Sequence, residues 1–197
     1  MRNKILLGFI TSVIIIITFG TINSFAATEG IYTYQVSDNT ATITKCSKDA
    51  SGDIVIPSTL GNYTVTSIAA SAFKNCSSIT GITIPDSMTS IGAAAFDGLS
   101  SLSKVNILSI EKWCAIEFVD VGSNPLTYAK NLYLNDILIT DLVIPQGVTS
   151  INYAAFYNCT GFQSVTFPDS LTSVGQNAFS GCTNIARVNI SNIKTLL

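Results

Sequence analysis

The stretch ITIPDSMTSIGAAAFDGLSSLSK, Ile82 to Lys104, is rewritten as LVIPQGVTSINYAAFYNCTGFQS, Leu142 to Ser164, and again as VTFPDSLTSVGQNAFSGCTNIAR, Val165 to Arg187. Each copy is 23 residues long, and the register between copies is strict. Pro85, Pro145 and Pro168 are each followed by a Thr-Ser pair and then by the Phe of Ala95-Phe96, Ala155-Phe156 and Ala178-Phe179. A fixed period of this length predicts a solenoid, because one unit cannot bury its apolar face alone and stacked units share a continuous core. Function is then to be read from the surface that the stack exposes.

Within each copy the spacing Ile79-x-x-Ile82-x-Ile84 recurs as Leu102-x-x-Val105-x-Ile107, Phe162-x-x-Val165-x-Phe167 and Ile185-x-x-Val188-x-Ile190. It is a leucine-rich-repeat strand: alternate side chains point inward and the residue between them points out. Met88 and Ile91, Val148 and Ile151, and Leu171 and Val174 then supply a second apolar layer, followed by the Ala-Phe pair. Gly92, Asn152 and Gly175 come directly after that layer, where a left-handed backbone is expected. The predicted fold is a repeat α/β solenoid of six or seven strands, mostly β with short helical turns, spanning residues 54–197.

Two segments depart from the period. In Ile54 to Gly81 the unit is completed only if Gly61 to Val65 is an insertion, which becomes a loop and exposes Tyr63. From about 108 to 141 the chain leaves the repeat for an irregular island holding the single tryptophan, Trp113. There Leu132-Tyr133-Leu134, Asn135-Asp136 and Ile137-Leu138-Ile139 read as a second hairpin. Trp113 and Phe118 are expected to plug the coil interior, with Tyr128 and Tyr133 outside.

The N-terminal end carries two further signals. Met1-Arg2-Asn3-Lys4 precedes the apolar run Ile5 to Ile22 and a small-x-small site at Ser24-Phe25-Ala26, so residues 1–26 read as a secretory signal peptide or, if uncleaved, a membrane anchor. Residues 27–53 contain Tyr32 to Val36 and Ala41 to Thr44 around Ser37-Asp38-Asn39-Thr40, a β-hairpin that caps the first coil. At the other end VNISNIKTLL realigns with VNILSIEKWC and stops without a polar cap, which implies an edge for end-to-end pairing or a truncated reading frame.

Composition bounds the function. Of 10 basic residues, Arg2 and Lys4 lie in the leader, and the 8 that remain face 12 acidic ones, a formal charge of −4. This carries no electrostatic footprint for nucleic acid. The chain has no histidine, which removes imidazole bases and ligands, and no catalytic motif replaces them, so we expect no enzyme and no cofactor. Three of the five cysteines, Cys76, Cys159 and Cys182, stand three residues after a repeat Phe where another copy has Leu99. A place that takes Leu or Cys is an apolar interior place, so these are read as buried thiols, with Cys159 and Cys182 the one pair placed to bridge.

The motifs IPDSMTSIGAAAF, IPQGVTSINYAAFYNC and FPDSLTSVGQNAFSGC, with GIYTYQVSDNTATIT, GDIVIPSTLGNYTVTSI and IEKWCAIEF…SNPLTYAKNLYLNDILITDLVIP, resemble the BspA-like leucine-rich repeat family of bacterial surface proteins over about Tyr32 to Leu197. The resemblance implies a secreted or cell-surface adhesion protein that binds extracellular or host-surface proteins. Glycan binding and a structural assembly role are the alternatives. It supplies no catalytic residues, and no LPxTG-type wall signal is present.

The outward strand positions form a ladder: Val55, Thr83, Asn106, Val143, Thr166 and Asn189, joined by Tyr133 if the island hairpin enters the sheet. The expected ligand-binding surface is this concave face with the island, represented by Thr83, Asn106, Tyr128, Tyr133, Thr166 and Asn189.

Overall fold

The computed structural model describes residues 24–190. The expected leader, residues 1–23, and the C-terminal residues 191–197 lie outside the described residues. Strands β1 (Phe25–Glu29), β2 (Tyr32–Ser37) and β3 (Thr40–Cys46) are antiparallel neighbours at the N-terminal end. The hairpin β2–β3 turns at Asp38 and Asn39, both left-handed, as the two-residue turn between twisted strands requires. Its buried face, Tyr32, Tyr34, Val36, Ala41 and Ile43, covers the first coil. β1 starts at Phe25, two residues before the expected cap, and Phe25 packs edge-on against Tyr63 with ring centroids 5.5 Å apart.

Seven repeat strands follow: β4 (Gly52–Val55), β7 (Ile79–Ile84), β9 (Lys104–Ile107), β11 (Leu132–Leu134), β13 (Asp141–Val143), β15 (Ser164–Phe167) and β17 (Arg187–Ile190). The second layer consists of β6 (Tyr63–Ile68), β8 (Ser90–Ile91), β10 (Glu117–Phe118), β14 (Ser150–Ile151) and β16 (Ser173–Val174). Neighbouring coils pair in parallel, as successive turns of one solenoid must. The proposed loop at Gly61 is instead ordered: β5 (Thr59–Leu60) and β6 form a hairpin with Gly61 and Asn62 left-handed at its turn. Among the described residues helix is confined to the island, as α1 (Ile110–Cys114), a 3-10 turn at Val121–Ser123 and α2 (Leu126–Ala129).

Between the layers the aromatic rings stack coil on coil. Phe73 and Phe96 lie 5.2 Å apart and Phe156 and Phe179 5.1 Å apart, and the first three of these are fully buried. Leu99, Cys76 and Cys159 occupy the shared interior position with no exposure, and all five cysteines are free thiols.

The expectation for Gly92, Asn152 and Gly175 needs correction. None of the three backbones is left-handed; at Gly92 and Gly175 an added Cβ would instead lie 2.4 Å from the Ala70 nitrogen or 2.5 Å from that of Tyr153. These glycines let adjacent coils approach. The left-handed residues come two positions later, at Ala94, Ala154 and Asn177, with Ser71 at the same place in the first coil.

Both layers break at the same level. The repeat-strand sheet is one unit of order β12-β11-β9-β7-β4 and another of order β13-β15-β17, where β12 is Ile137–Leu138. The second layer likewise divides into a sheet ending at β10 and the pair β14–β16. The halves are joined by backbone bonds from Asn152 N–H to Cys114 O at 2.9 Å and from Gly161 N–H to Lys130 O at 3.3 Å, and by side chains of the island and of the next coil. Trp113 Nε1 donates to Ala155 O at 2.8 Å, and the fully buried Asn124 donates to Ala154 O at 2.7 Å and to Ala155 O at 3.0 Å. Asn152 Nδ2 donates to Ala115 O at 2.9 Å, and Asn158 Nδ2 donates to Thr127 O at 2.9 Å.

Candidate binding surface

The outward ladder exists, in two pieces. Val55 stands opposite Thr83, Thr83 opposite Asn106 and Asn106 opposite Tyr133, so the island hairpin does join the sheet. Beyond the break, Val143, Thr166 and Asn189 form the second piece.

Asn106 is a correction to the expected surface. It is 3 % exposed, because the hairpin β11–β12 folds its turn over it. Asn106 Oδ1 accepts the backbone N–H of Asp136 at 2.8 Å, and its Nδ2 donates to Thr83 Oγ1 at 3.4 Å. Asn135 and Asp136 are both left-handed, the requirement of a tight hairpin turn. The amide thus holds the turn in place, and its burial closes it to a ligand. Asn189 occupies the corresponding place in the other piece, donates to Thr166 Oγ1 at 3.0 Å and is exposed.

Tyr128 is also displaced from the expected surface. It stands on α2, half-buried, and its hydroxyl donates to Asp97 Oδ1. Burial first, then the Asp97 carboxylate as hydrogen-bond acceptor, pushes its phenol well above the ordinary range. Tyr133 remains on the ladder face, half-buried, with Lys104 Nζ 5.4 Å from its ring centroid. Lys104 also bonds Asp136 at 2.8 Å and reaches Asp53 at 4.0 Å, so a charged row borders the aromatic ring.

On the apolar part of this face the sequence placed Val55 and Val143 outward but passed over Leu138. Leu138 on β12, opposite Tyr133, is 42 % exposed, and Val143 on β13 is 56 % exposed. They flank the break between the half-sheets, and Val55 is 65 % exposed at the far end of the ladder. Contiguous exposed apolar groups rimmed by polar ones mark interaction surfaces. The signal was available in the alternation of ILIT and LVI, which puts an aliphatic residue on both faces of each strand.

Comparison with known proteins bears on this architecture. Residues 52–118 and 127–196 match the BspA type leucine rich repeat region, in six copies. A leucine-rich repeat protein from Bacteroides ovatus is 25% identical over 82% of this chain and 40% of its own, with a TM-score of 0.52. A leucine-rich repeat protein from Bacteroides capillosus is 26% identical, covering 85% of this chain and 99% of its own, with a TM-score of 0.42. A leucine rich cell surface protein from Faecalibacterium prausnitzii is 25% identical, covering 86% and 55%, with a TM-score of 0.47. Comparison with curated proteins gives no match. With six repeat copies over most of its length and the matching mostly-β solenoid, the chain belongs to the BspA type leucine-rich repeat family.

Proposed function

We propose that the protein is a non-catalytic adhesion module of the cell surface or the secreted fraction, binding an extracellular or host-surface protein across the ladder face and island. The observation that carries this reading is the exposed pair Leu138 and Val143 on either side of the break, with the Tyr133 ring opposite Leu138 and the Asp53–Lys104–Asp136 row along the same face. It combines an apolar centre with a polar rim, the anatomy of a protein interface. The basic and apolar start of the chain supports export. Engagement of the Tyr128 hydroxyl by Asp97 and burial of Asn106 weigh against a glycan site built from those residues.

The test is saturable binding of the purified protein to an immobilised panel of extracellular-matrix proteins, cell-surface extracts and glycans. Leu138→Asp and Val143→Asp variants run beside it. Both positions are exposed, so the variants keep the native melting midpoint. Binding to one protein that falls at least about tenfold in these variants supports the reading. Binding unchanged in them, or displaced by free sugars, overturns it.

A further inference from the structure

The two layers of the solenoid do not begin together. The second layer continues past β6 through β3, β2 and β1, whereas the repeat-strand sheet ends at β4. Where one more repeat strand would lie, there is a groove of about 360 Å³ lined by Glu29, Ile31, Tyr32, Ile54, Pro57 and Leu60. Its walls are apolar apart from Glu29, and no basic residue lines it.

The edge of β4 beside this groove is open. Gly52 N–H donates to Ser78 O and Ile56 N–H to Thr83 O, so even-numbered peptide groups face β7. By the alternation of a parallel ladder, those of Asp53 and Val55 face outward into the groove side. The Val55 carbonyl confirms that direction, since it accepts the Tyr32 hydroxyl at 2.9 Å. Among the described residues the Asp53 and Val55 N–H groups and the Asp53 carbonyl have no hydrogen-bond partner on this side. Two donors and an acceptor spaced along an edge, beside an apolar slot, are the elements of strand addition.

We propose that the outer edge of β4 takes an extended segment of another protein, pairing as an eighth repeat strand. One apolar side chain of that segment enters the groove among Ile31, Ile54 and Leu60. The charge of its neighbour follows from Glu29, which lines the slot. A Lys or Arg adjacent to the apolar anchor meets this carboxylate. This edge lies at the opposite end of the sheet from the Leu138–Val143 surface, so loss of binding there leaves it untouched.

The experiment uses a labelled heptapeptide, Ser-Lys-Val-Thr-Val-Lys-Ser, with amide hydrogen exchange and fluorescence anisotropy on the purified protein. In the free protein the Asp53 and Val55 amides exchange rapidly while those of Ile54 and Ile56 are protected. The peptide at about 1 mM slows Asp53 and Val55 selectively. Val55→Pro, which removes one donor at an edge position where Pro is tolerated, weakens binding by at least about tenfold, and Glu29→Lys weakens it in a salt-sensitive way. If Val55→Pro does not fold, the exchange pattern of the unaltered protein decides. No binding at that concentration overturns the proposal, as does protection at other amides or equal binding by both variants. Protection that grows with protein concentration without peptide assigns the edge to a second copy and overturns it too.

Discussion

Trp113 donates its indole N–H to the carbonyl of Ala155 across the level at which both sheets are interrupted. Ala155 O also receives Asn124 Nδ2, so a single repeat carbonyl is held by two island side chains. Trp113→Phe keeps most of the ring volume and deletes one donor to a buried acceptor. It should lower unfolding free energy by about 1–3 kcal/mol, whereas Trp113→Ala should cost about 3–5 kcal/mol. Urea denaturation of the two variants measures the difference.

Phe156 is fully buried between Phe162 and Phe179, while Phe179 belongs to the last described coil and is only half-buried. Phe156→Ala should therefore cost about 3–5 kcal/mol and Phe179→Ala visibly less. Equal losses would mean that the ring stack does not weaken toward its end.

Ala94 holds a left-handed backbone at φ 53°, a conformation that disfavours a residue with Cβ. Ala94→Gly should raise stability by about 1 kcal/mol, and Gly92→Ala two residues earlier should lower it because its Cβ meets the Ala70 nitrogen. Opposite shifts of the thermal midpoint separate glycine as a conformational choice from glycine as a close-contact choice.

This pair shows how much the sequence tells. The repeat, the strand spacing and the interior position shared by Leu99 and Cys159 are periodic, so packing repeats whatever the pattern repeats. Gly92 was legible as a special residue but not for its reason, since φ and coil spacing are both tertiary outcomes. Asn106 read as outward because alternation is correct for its strand; its burial comes from a turn 30 residues away that no local period records. Asn124 was missed altogether, being a single polar residue whose partners lie in a different coil.

Burial raises the phenols of Tyr32, Tyr34 and Tyr128, and raises the thiols of Cys46, Cys114 and Cys159 to about 12 and of Cys182 to about 11. The folded state thus keeps protons that the unfolded chain releases near the ordinary thiol and phenol values, about 8.5 and 10. Stability from these groups is complete below those values and is lost as pH rises through them toward the folded values. Urea midpoints should hold up to about pH 8 and then fall, and Tyr128→Phe should flatten the part of the fall above about pH 10. A midpoint insensitive to pH across that range would contradict the assignment.

Thiol accessibility gives an independent check on the stack. Cys182 is half-buried, whereas Cys46, Cys76, Cys114 and Cys159 are closed in. A charged thiol reagent at pH 8 should modify Cys182 first, and the other four only in denaturant, as mass spectrometry of timed samples would show.

In a stacked chain each coil is stabilised chiefly by its two neighbours, so the weakest junction sets how far cooperativity extends. Here the hydrogen-bonded ladders of both layers end at one level, and indole and amide side chains carry much of the link across it. A protein that tethers two bodies is pulled along its length. This junction is where such a load would part the molecule first, leaving an N-terminal block with its own cap still folded. In the proposed adhesion role the island would act as a fuse as well as a face, setting the force at which the stack first yields.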